Sequence, residues 1–257
     1  MQNDWTFYLA AIPAVFALGL SKGGFNALGA LATPLLTLAP DISPVSAAAI
    51  LLPLLVFGDV VSVIAFRKEF SWPNLRVLIP SAVIGIGIGW LAAARFNEDV
   101  IRLLIGLVSV GFVAFMLLRS RLVEANAAAP STPQGVFWGA VAGFTSFVSH
   151  SGSPPFQVYV LPQRLAPNVF AGTATMFFAS VNAMKLIPYF LLGQFKSETL
   201  AQSLTLAPIA IAATFLGIGL VRRISPDRFY GVILALTFFF GAWLVVDAVR
   251  ALAVTSL

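Results

Sequence analysis

Cysteine is absent from this chain of 257 residues, and histidine occurs once. The first absence excludes disulfides, iron–sulfur clusters and thiolate zinc sites, and the second leaves no histidine cage for a metal. Charge is scarce as well: Asp, Glu, Lys and Arg make up 10% of the residues, against about 25% in a soluble domain. A chain so poor in charge cannot cover itself with a wettable surface. The apolar set accounts for 59% of the residues, and runs such as Leu75–Ala94 and Tyr230–Val246 approach the ~20 residues that a helix needs to cross a ~30 Å hydrocarbon core. The bilayer interior offers backbone groups no partner, so only helices or closed barrels span it. Continuous apolar runs, where a barrel strand would alternate, select helices. The lacks together predict an all-α polytopic membrane protein, with the lipid bilayer as its solvent and no cofactor.

The net charge of +5 is carried in loops between apolar runs, where a positive-inside bias is expected, so no nucleic-acid partner is implied. The first residues, Met-Gln-Asn-Asp, lack the positive region of a signal peptide. Trp5–Leu20 is not followed by a cleavage pattern of small residues, and a retained first helix is expected.

Half of the chain is close to 128 residues, and the sequence repeats at that offset without a gap. Phe16 meets Phe144, Ser21 Ser149, Gly24 Gly152, Pro34 Pro162, Pro80 Pro208, Gly89 Gly217, Arg95 Arg223 and Asp99 Asp227. The matches fall on punctuation residues, glycines and prolines above all, which points to an internal duplication, a common plan of secondary transporters. The expected organisation is a first transmembrane repeat over 1–122, a polar, Pro-containing linker over 123–134 and a second repeat over 135–257. Each repeat has a broken first segment and three spanning helices. The first comprises Trp5–Ala39, interrupted at Ser21–Gly24, then Ser43–Phe66, Leu75–Ala94 and Asp99–Leu118. The second comprises Gly135–Leu161, interrupted at Ser149–Pro155, then Asn168–Gly193, Ser203–Val221 and Phe229–Val249.

Loop basic residues bear on topology. A broken segment that crosses once makes the repeats parallel and leaves Arg67, Lys68, Arg76, Arg119, Arg121, Lys196 and Arg250 facing Arg95, Arg102, Arg164, Arg222, Arg223 and Arg228. That division obeys no rule. A segment that enters and returns, or crosses twice, inverts the repeats and puts Arg67, Lys68, Arg76, Arg119, Arg121, Arg164, Arg222, Arg223 and Arg228 on one face against Arg95, Arg102, Lys196 and Arg250. The positive-inside rule favours the inverted arrangement, with both termini outside.

Lys22, Asp59 and Lys185, with His150 as a fourth, lie within or between apolar stretches. A charge at the centre of a spanning helix costs ~2.5–3.5 kcal/mol on insertion scales, so such residues usually face the bundle interior and mark a pathway. Lys22 and His150 are 128 residues apart, in SKGGFN and SHSGSPP. Small hydroxyl and amide residues surround both breaks. A helix interrupted in mid-membrane exposes N–H groups and a positive dipole end, which attract an anion. The candidate substrate-binding residues are Ser21, Lys22, Gly23, Gly24, Asn26, Ser149, His150, Ser151, Gly152, Asn182 and Lys185. Two readings of Lys22 stand side by side: a ligand, or a lysine snorkelling from a helix end about 25 Å from Trp5. His150 is a ligand or a hydrogen-bonded packing histidine. Asn182 precedes Lys185 by three residues and shares its face. Asp59 pairs with Lys185 or Lys22, or carries a coupling proton, a role also open to His150.

Other motifs carry no chemistry. Gly85 and Gly89 in GIGIG form a helix-packing surface and not a nucleotide loop. Ser149 and His150 are adjacent, about 100° apart on a helix, which is no hydrolase dyad. Pro53, Pro80, Pro188 and Pro208 kink helices, and Trp72, Trp90, Trp138 and Trp243 fit an aromatic belt. Neither an enzyme nor a metal site is expected.

The runs FALGLSKGGFNALGALATPLLTL, GAVAGFTSFVSHSGSPPFQVYVL and AGTATMFFASVNAMKLIPYFLLGQF resemble the repeated motifs of the sulfite exporter TauE/SafE family of membrane permeases. The resemblance extends over nearly the whole chain, and the NxxK before Pro-Tyr is its most specific element. It implies a bacterial inner-membrane, multi-pass transporter for sulfite, organosulfonates or related sulfur anions, usually outward and built from two repeats. SHSGSPP departs from the usual glycine-rich second motif. The mechanism expected from the residues is alternating access, the halves rocking around an oxyanion held by Lys22, His150 and Lys185. A passive anion channel, or a permease for another small anion, is the alternative.

Overall fold

The computed structural model describes residues 5–40, 42, 44–92, 98–122, 130–191 and 196–255. Among them every regular element is helical. The helices are α1 (Trp5–Lys22), α2 (Ala32–Leu36), α3 (Pro44–Phe66), α4 (Trp72–Ala92), α5 (Glu98–Leu122), α6 (Thr132–Ser149), α7 (Ser153–Val160), α8 (Pro167–Leu191), α9 (Ser197–Arg223) and α10 (Pro226–Thr255), with 3₁₀ turns at Asn26–Leu31 and Leu161–Gln163. Prolines open α3, α8 and α10, where a missing N–H costs nothing and the fixed φ suits the first turn. Pro53, Pro80, Pro188 and Pro208 all lie inside helices, as expected of spanning segments.

Six stretches among the described residues are long and apolar enough to cross a bilayer: Trp5–Lys22, Ser46–Phe66, Trp72–Leu91, Pro167–Leu191, Ser197–Arg223 and Pro226–Ala253. Leu103–Leu118 of α5 is a shorter apolar stretch. Large apolar side chains on these helices face outward, among them Leu9, Ile64, Leu91, Phe190 and Phe239. In water such faces are a liability, whereas in lipid they are the solvated surface. Trp72 and Trp90, at opposite ends of α4, are both exposed, the placement of an aromatic belt.

Both expected interruptions are present. In the first, α1 stops at Lys22, Gly24 takes φ +125°, and the chain continues through a 3₁₀ turn into the five residues of α2. Only glycine adopts that φ without strain. In the second, α6 stops at Ser149 and His150 takes the left-handed conformation at φ 53°. Pro154 and Pro155 then sit in the first turn of α7. Of the expected linker, 123–129 lie outside the described residues, and Thr132–Gln134 begin α6.

The chain forms two compact units. The first comprises Met1–Phe70 and Pro167–Ile224, and so holds α1–α3, α8 and α9. Within it α1 packs on α9, and α8 and α9 both pack on α3. The second comprises Ser71–Ala166 and Ser225–Leu257, and holds α4–α7 and α10. Within it α4 packs on α6, and α5 on α10 and α7. Each half of the sequence contributes helices to both units.

Small residues set the helix spacing in each unit. Gly23 and Gly217 bring the backbones of α1 and α9 together, so that a Cβ at Gly217 would lie 2.8 Å from the Cα of Gly23 and from the Leu20 carbonyl oxygen. Gly85 meets the Ala140 carbonyl in the same way, and Gly143 the backbone of Ala82, where α4 crosses α6. Lipid tails are as apolar as Leu, so close backbone approach, and not hydrophobic burial, drives such pairings.

Candidate functional site

The first unit encloses a group of charged and polar side chains. Lys22 at the C-terminal end of α1 is 7% exposed, Asp59 on α3 5%, Asn182 on α8 3% and Lys185 on α8 0%. These values exclude the snorkelling reading of Lys22, since its ammonium is held indoors. Lys22 Nζ donates to Asp59 Oδ1 at 2.5 Å. Asn182 Nδ2 donates to the other carboxylate oxygen, Oδ2, at 2.7 Å. Asp59 thus bridges two helices that reach it from different parts of the sequence. Lys185 follows Asn182 by three residues on the same face of α8, within electrostatic reach of Lys22 and Asp59.

Neighbouring elements fix this geometry. Ser62, one turn after Asp59 on α3, donates to the Lys22 carbonyl oxygen at 2.7 Å and so satisfies a carbonyl that the end of α1 leaves without a helical partner. Gly58 leaves room for the aliphatic stem of Lys22, for a Cβ there would lie 2.8 Å from Lys22 Cγ and 3.3 Å from Thr214 Oγ1 of α9. Thr214 turns its own hydroxyl proton back to the Ala210 carbonyl at 2.8 Å. Ser62, Gly58 and Thr214 were not singled out by sequence. The spacing of Asp59 and Ser62 on one helical face was the available signal.

At the first break, Ser21 and Asn26 are both buried. Ser21 Oγ donates to the Asn26 carbonyl at 3.3 Å, while the Asn26 side-chain nitrogen is buried with no hydrogen-bond partner. A buried N–H donor without an acceptor costs about 1–3 kcal/mol, and within a transport site it is the group that an anion would satisfy. The backbone at this break behaves differently from expectation. Gly23 N–H donates to Gly19 O at 3.0 Å, Gly24 N–H to Ser21 O at 3.1 Å and Phe25 N–H to Leu20 O at 3.3 Å. These N–H groups close the helix end instead of opening towards a ligand, because the chain tightens into a Schellman-like turn and then a 3₁₀ turn. These three backbone donors are therefore already engaged within the chain.

In the second unit, Ser151, Gly152 and Ser153 are buried and His150 is partly exposed. His150 N–H donates to Ser146 O and Ser151 N–H to Thr145 O, both at 3.2 Å. Pro154 and Pro155 have no N–H to offer, so the first turn of α7 presents fewer open donors than a helix start ordinarily does. The Ser149 side chain lies outside the described residues. Further along α7, Gln157 Nε2 donates to Ser153 Oγ at 2.9 Å, and Thr237 of α10 donates to Gln157 Oε1. Gln163 and Asn74 exchange amide hydrogen bonds at 2.8 and 3.2 Å. This second network is neutral and its members carried no signal beyond being polar residues in apolar runs. Among the described residues no group of three or more acidic or histidine side chains is placed to hold a metal ion.

The helices and the buried ion cluster define a polytopic helical membrane protein with a charged interior site. The family described as Sulfite exporter TauE/SafE matches residues 11–244, nearly the whole chain. The chain belongs to that family of membrane transporters, which implies a sulfite or sulfur-anion exporter. No curated protein and no solved structure matches it.

Proposed function

We propose that this protein exports sulfite or a small organosulfonate across the bacterial inner membrane by alternating access, and that the cluster of Lys22, Asp59, Asn182 and Lys185 is the heart of its substrate path. The observation that carries this reading is the burial of two lysines around one aspartate inside a protein whose family moves sulfur anions. Buried charge is expensive in a membrane and is retained where it serves a pathway. Asn26 supplies a buried amide donor, with Ser21 beside it. Asp59 is the proposed coupling residue: a proton on its carboxylate would loosen the bond to Lys22 and release an ammonium to the substrate. Ser151, Gly152 and His150 at the second break are proposed as substrate-binding residues of the second unit, with His150 as a further proton carrier.

The reading includes two inverted repeats with both termini on the periplasmic side. In its support, the two breaks fall 128 residues apart, at Lys22 and His150. The pairing of α1 with α9 in one unit also has its counterpart in the pairing of α6 with α4 in the other. Sulfite efflux from proteoliposomes tests the function. Wild-type protein is expected to give saturable efflux, reduced at least about tenfold in Lys22→Ala and Lys185→Ala, a difference of roughly 1.4 kcal/mol. Unsaturable ohmic current would instead make the protein an anion channel, and unchanged efflux in both variants would place the site elsewhere.

A further inference from the structure

The seam between α3 and α9 ends in four cations. Ser203 Oγ of α9 donates to the Ile50 carbonyl of α3 at 2.7 Å, Gly58 of α3 lies against the Thr214 hydroxyl of α9, and Arg222 Nη2 donates to the Ala65 carbonyl at 2.9 Å. Contacts that climb both helices in the same order mean that the two run side by side in one direction and finish together. Both are long and apolar enough to cross a bilayer, and the apolar stretches stop at Phe66 and Arg223. Arg67 and Lys68 follow the first, while Arg222 and Arg223 close the second, and all four are exposed. They stand where hydrocarbon gives way to headgroups. Just inside that level, Ile64 on α3 and Leu220 on α9 are exposed as well.

This end of the seam is built to keep its shape. Glu69 N–H donates to the Phe66 carbonyl at 2.9 Å, and the Ala65 carbonyl, one residue earlier, accepts from Arg222. The guanidinium carbon lies 6.0 Å from the centre of the Phe66 ring. Behind the loop, the Glu69 carbonyl lies against Gly172 of α8, where a Cβ would collide with it. Glu69 is the acidic neighbour in the loop, and its Oε2 is buried, away from the exposed cations. A guanidinium fixed at one corner keeps further N–H donors in the fork that suits phosphate oxygens. We infer that this end of the seam binds an anionic phospholipid, with the phosphate among Arg67, Lys68, Arg222 and Arg223 and the acyl chains along Ile64 and Leu220. Charge selects the headgroup, because a zwitterionic lipid brings an ammonium that the cations repel. The apolar pair selects a lipid over a soluble phosphate, which has nothing to lay against it. Cations at the ends of α3 and α9 also offset the negative ends of the helix dipoles, but that role is indifferent to the headgroup.

Lipid titration tests this without recourse to transport. Delipidated protein in a neutral detergent receives dioleoylphosphatidylglycerol, dioleoylphosphatidylcholine or inorganic phosphate, and the unfolding midpoint is followed. The wild type is expected to be stabilised by the anionic lipid at concentrations at least about tenfold below those of the zwitterionic one, since each basic residue near an anionic headgroup strengthens binding. Added salt should shrink that preference. Arg222→Gln with Arg223→Gln is expected to lose most of it. Lys68→Gln with Arg223→Gln leaves the bond from Arg222 to Ala65 in place and is expected to do the same, which keeps the test decisive should the first variant fail to fold. Arg76→Gln, at an exposed arginine of the other unit that lies over Trp72, should keep the wild-type preference. Equal stabilisation by the two lipids, a preference that survives both double variants, or an equal loss in Arg76→Gln would overturn the site. Stabilisation by inorganic phosphate as strong as that by the anionic lipid would overturn the lipid in favour of a soluble anion.

Discussion

The Lys22 ammonium lies 2.5 Å from Asp59 Oδ1, with both residues more than nine-tenths buried, and the two residues, on different helices, are 37 positions apart in sequence. Breaking such a pair strands a charge, and removal of one partner costs about 3–5 kcal/mol, whereas replacing both by neutral residues of similar shape is often close to neutral. Lys22→Met and Asp59→Asn alone are therefore expected to lower thermal stability in detergent markedly. The double variant should recover most of the loss. A double-mutant cycle on unfolding midpoints checks this, and additive losses would mean that the contact contributes nothing to stability.

Glycine substitutions separate packing from propensity on a single helix. Gly217 and Gly219 are both on α9, but a Cβ at Gly217 would meet the backbone of α1, while nothing lies within 4 Å of one at Gly219. Gly217→Ala should force α1 and α9 apart at a cost of about 1–3 kcal/mol. Gly219→Ala should be neutral, or stabilising by up to about 1 kcal/mol, since Ala is the better helix former. Equal midpoints for the two variants would contradict the close approach of α1 and α9.

His150 closes α6 in the left-handed conformation, a position that usually falls to glycine. Holding a histidine there costs on the order of 1 kcal/mol. His150→Gly is expected to raise the unfolding midpoint slightly while weakening sulfite efflux, because the side chain proposed to serve the substrate is gone. Unaltered efflux would remove His150 from the site.

How much of this was legible in the sequence depended on the kind of residue. Charge scarcity and unbroken apolar runs disclose a helical membrane protein because the bilayer imposes a length and a polarity on each segment. Both breaks were legible because glycine and consecutive prolines act locally. Lys22, Asp59, Asn182 and Lys185 stood out as polar residues in apolar runs, and the structure brings these four into one unit. Which partner Asp59 chooses was not legible, for that depends on how α1, α3 and α8 pack. The closed N–H groups of Gly23, Gly24 and Phe25 were missed for a similar reason: a glycine pair announces a break, but not whether the following turn opens or tightens. The compact units, which draw on both halves of the sequence, are a product of tertiary contacts that no local signal records.

Asn26 offers the sharpest separation of stability from function. Its side-chain nitrogen is buried without an acceptor, so the folded protein bears a desolvation cost that no internal contact returns. Structures that keep such a group usually do so because something else completes it. Asn26→Ala removes the stranded donor, and the substrate-free protein is expected to unfold at the same temperature as wild type or slightly higher. On the proposed substrate-binding role the same change deprives the anion of a hydrogen bond, and a bond to a charged group is worth about 1.5–3 kcal/mol. Half-saturating sulfite should therefore rise by roughly tenfold or more. Thermal unfolding with and without sulfite checks both halves in one experiment: the variant should lose the stabilisation that sulfite confers on wild type while matching or exceeding it in the absence of ligand. A variant less stable without sulfite, yet stabilised by it to the wild-type extent, would make Asn26 a structural residue.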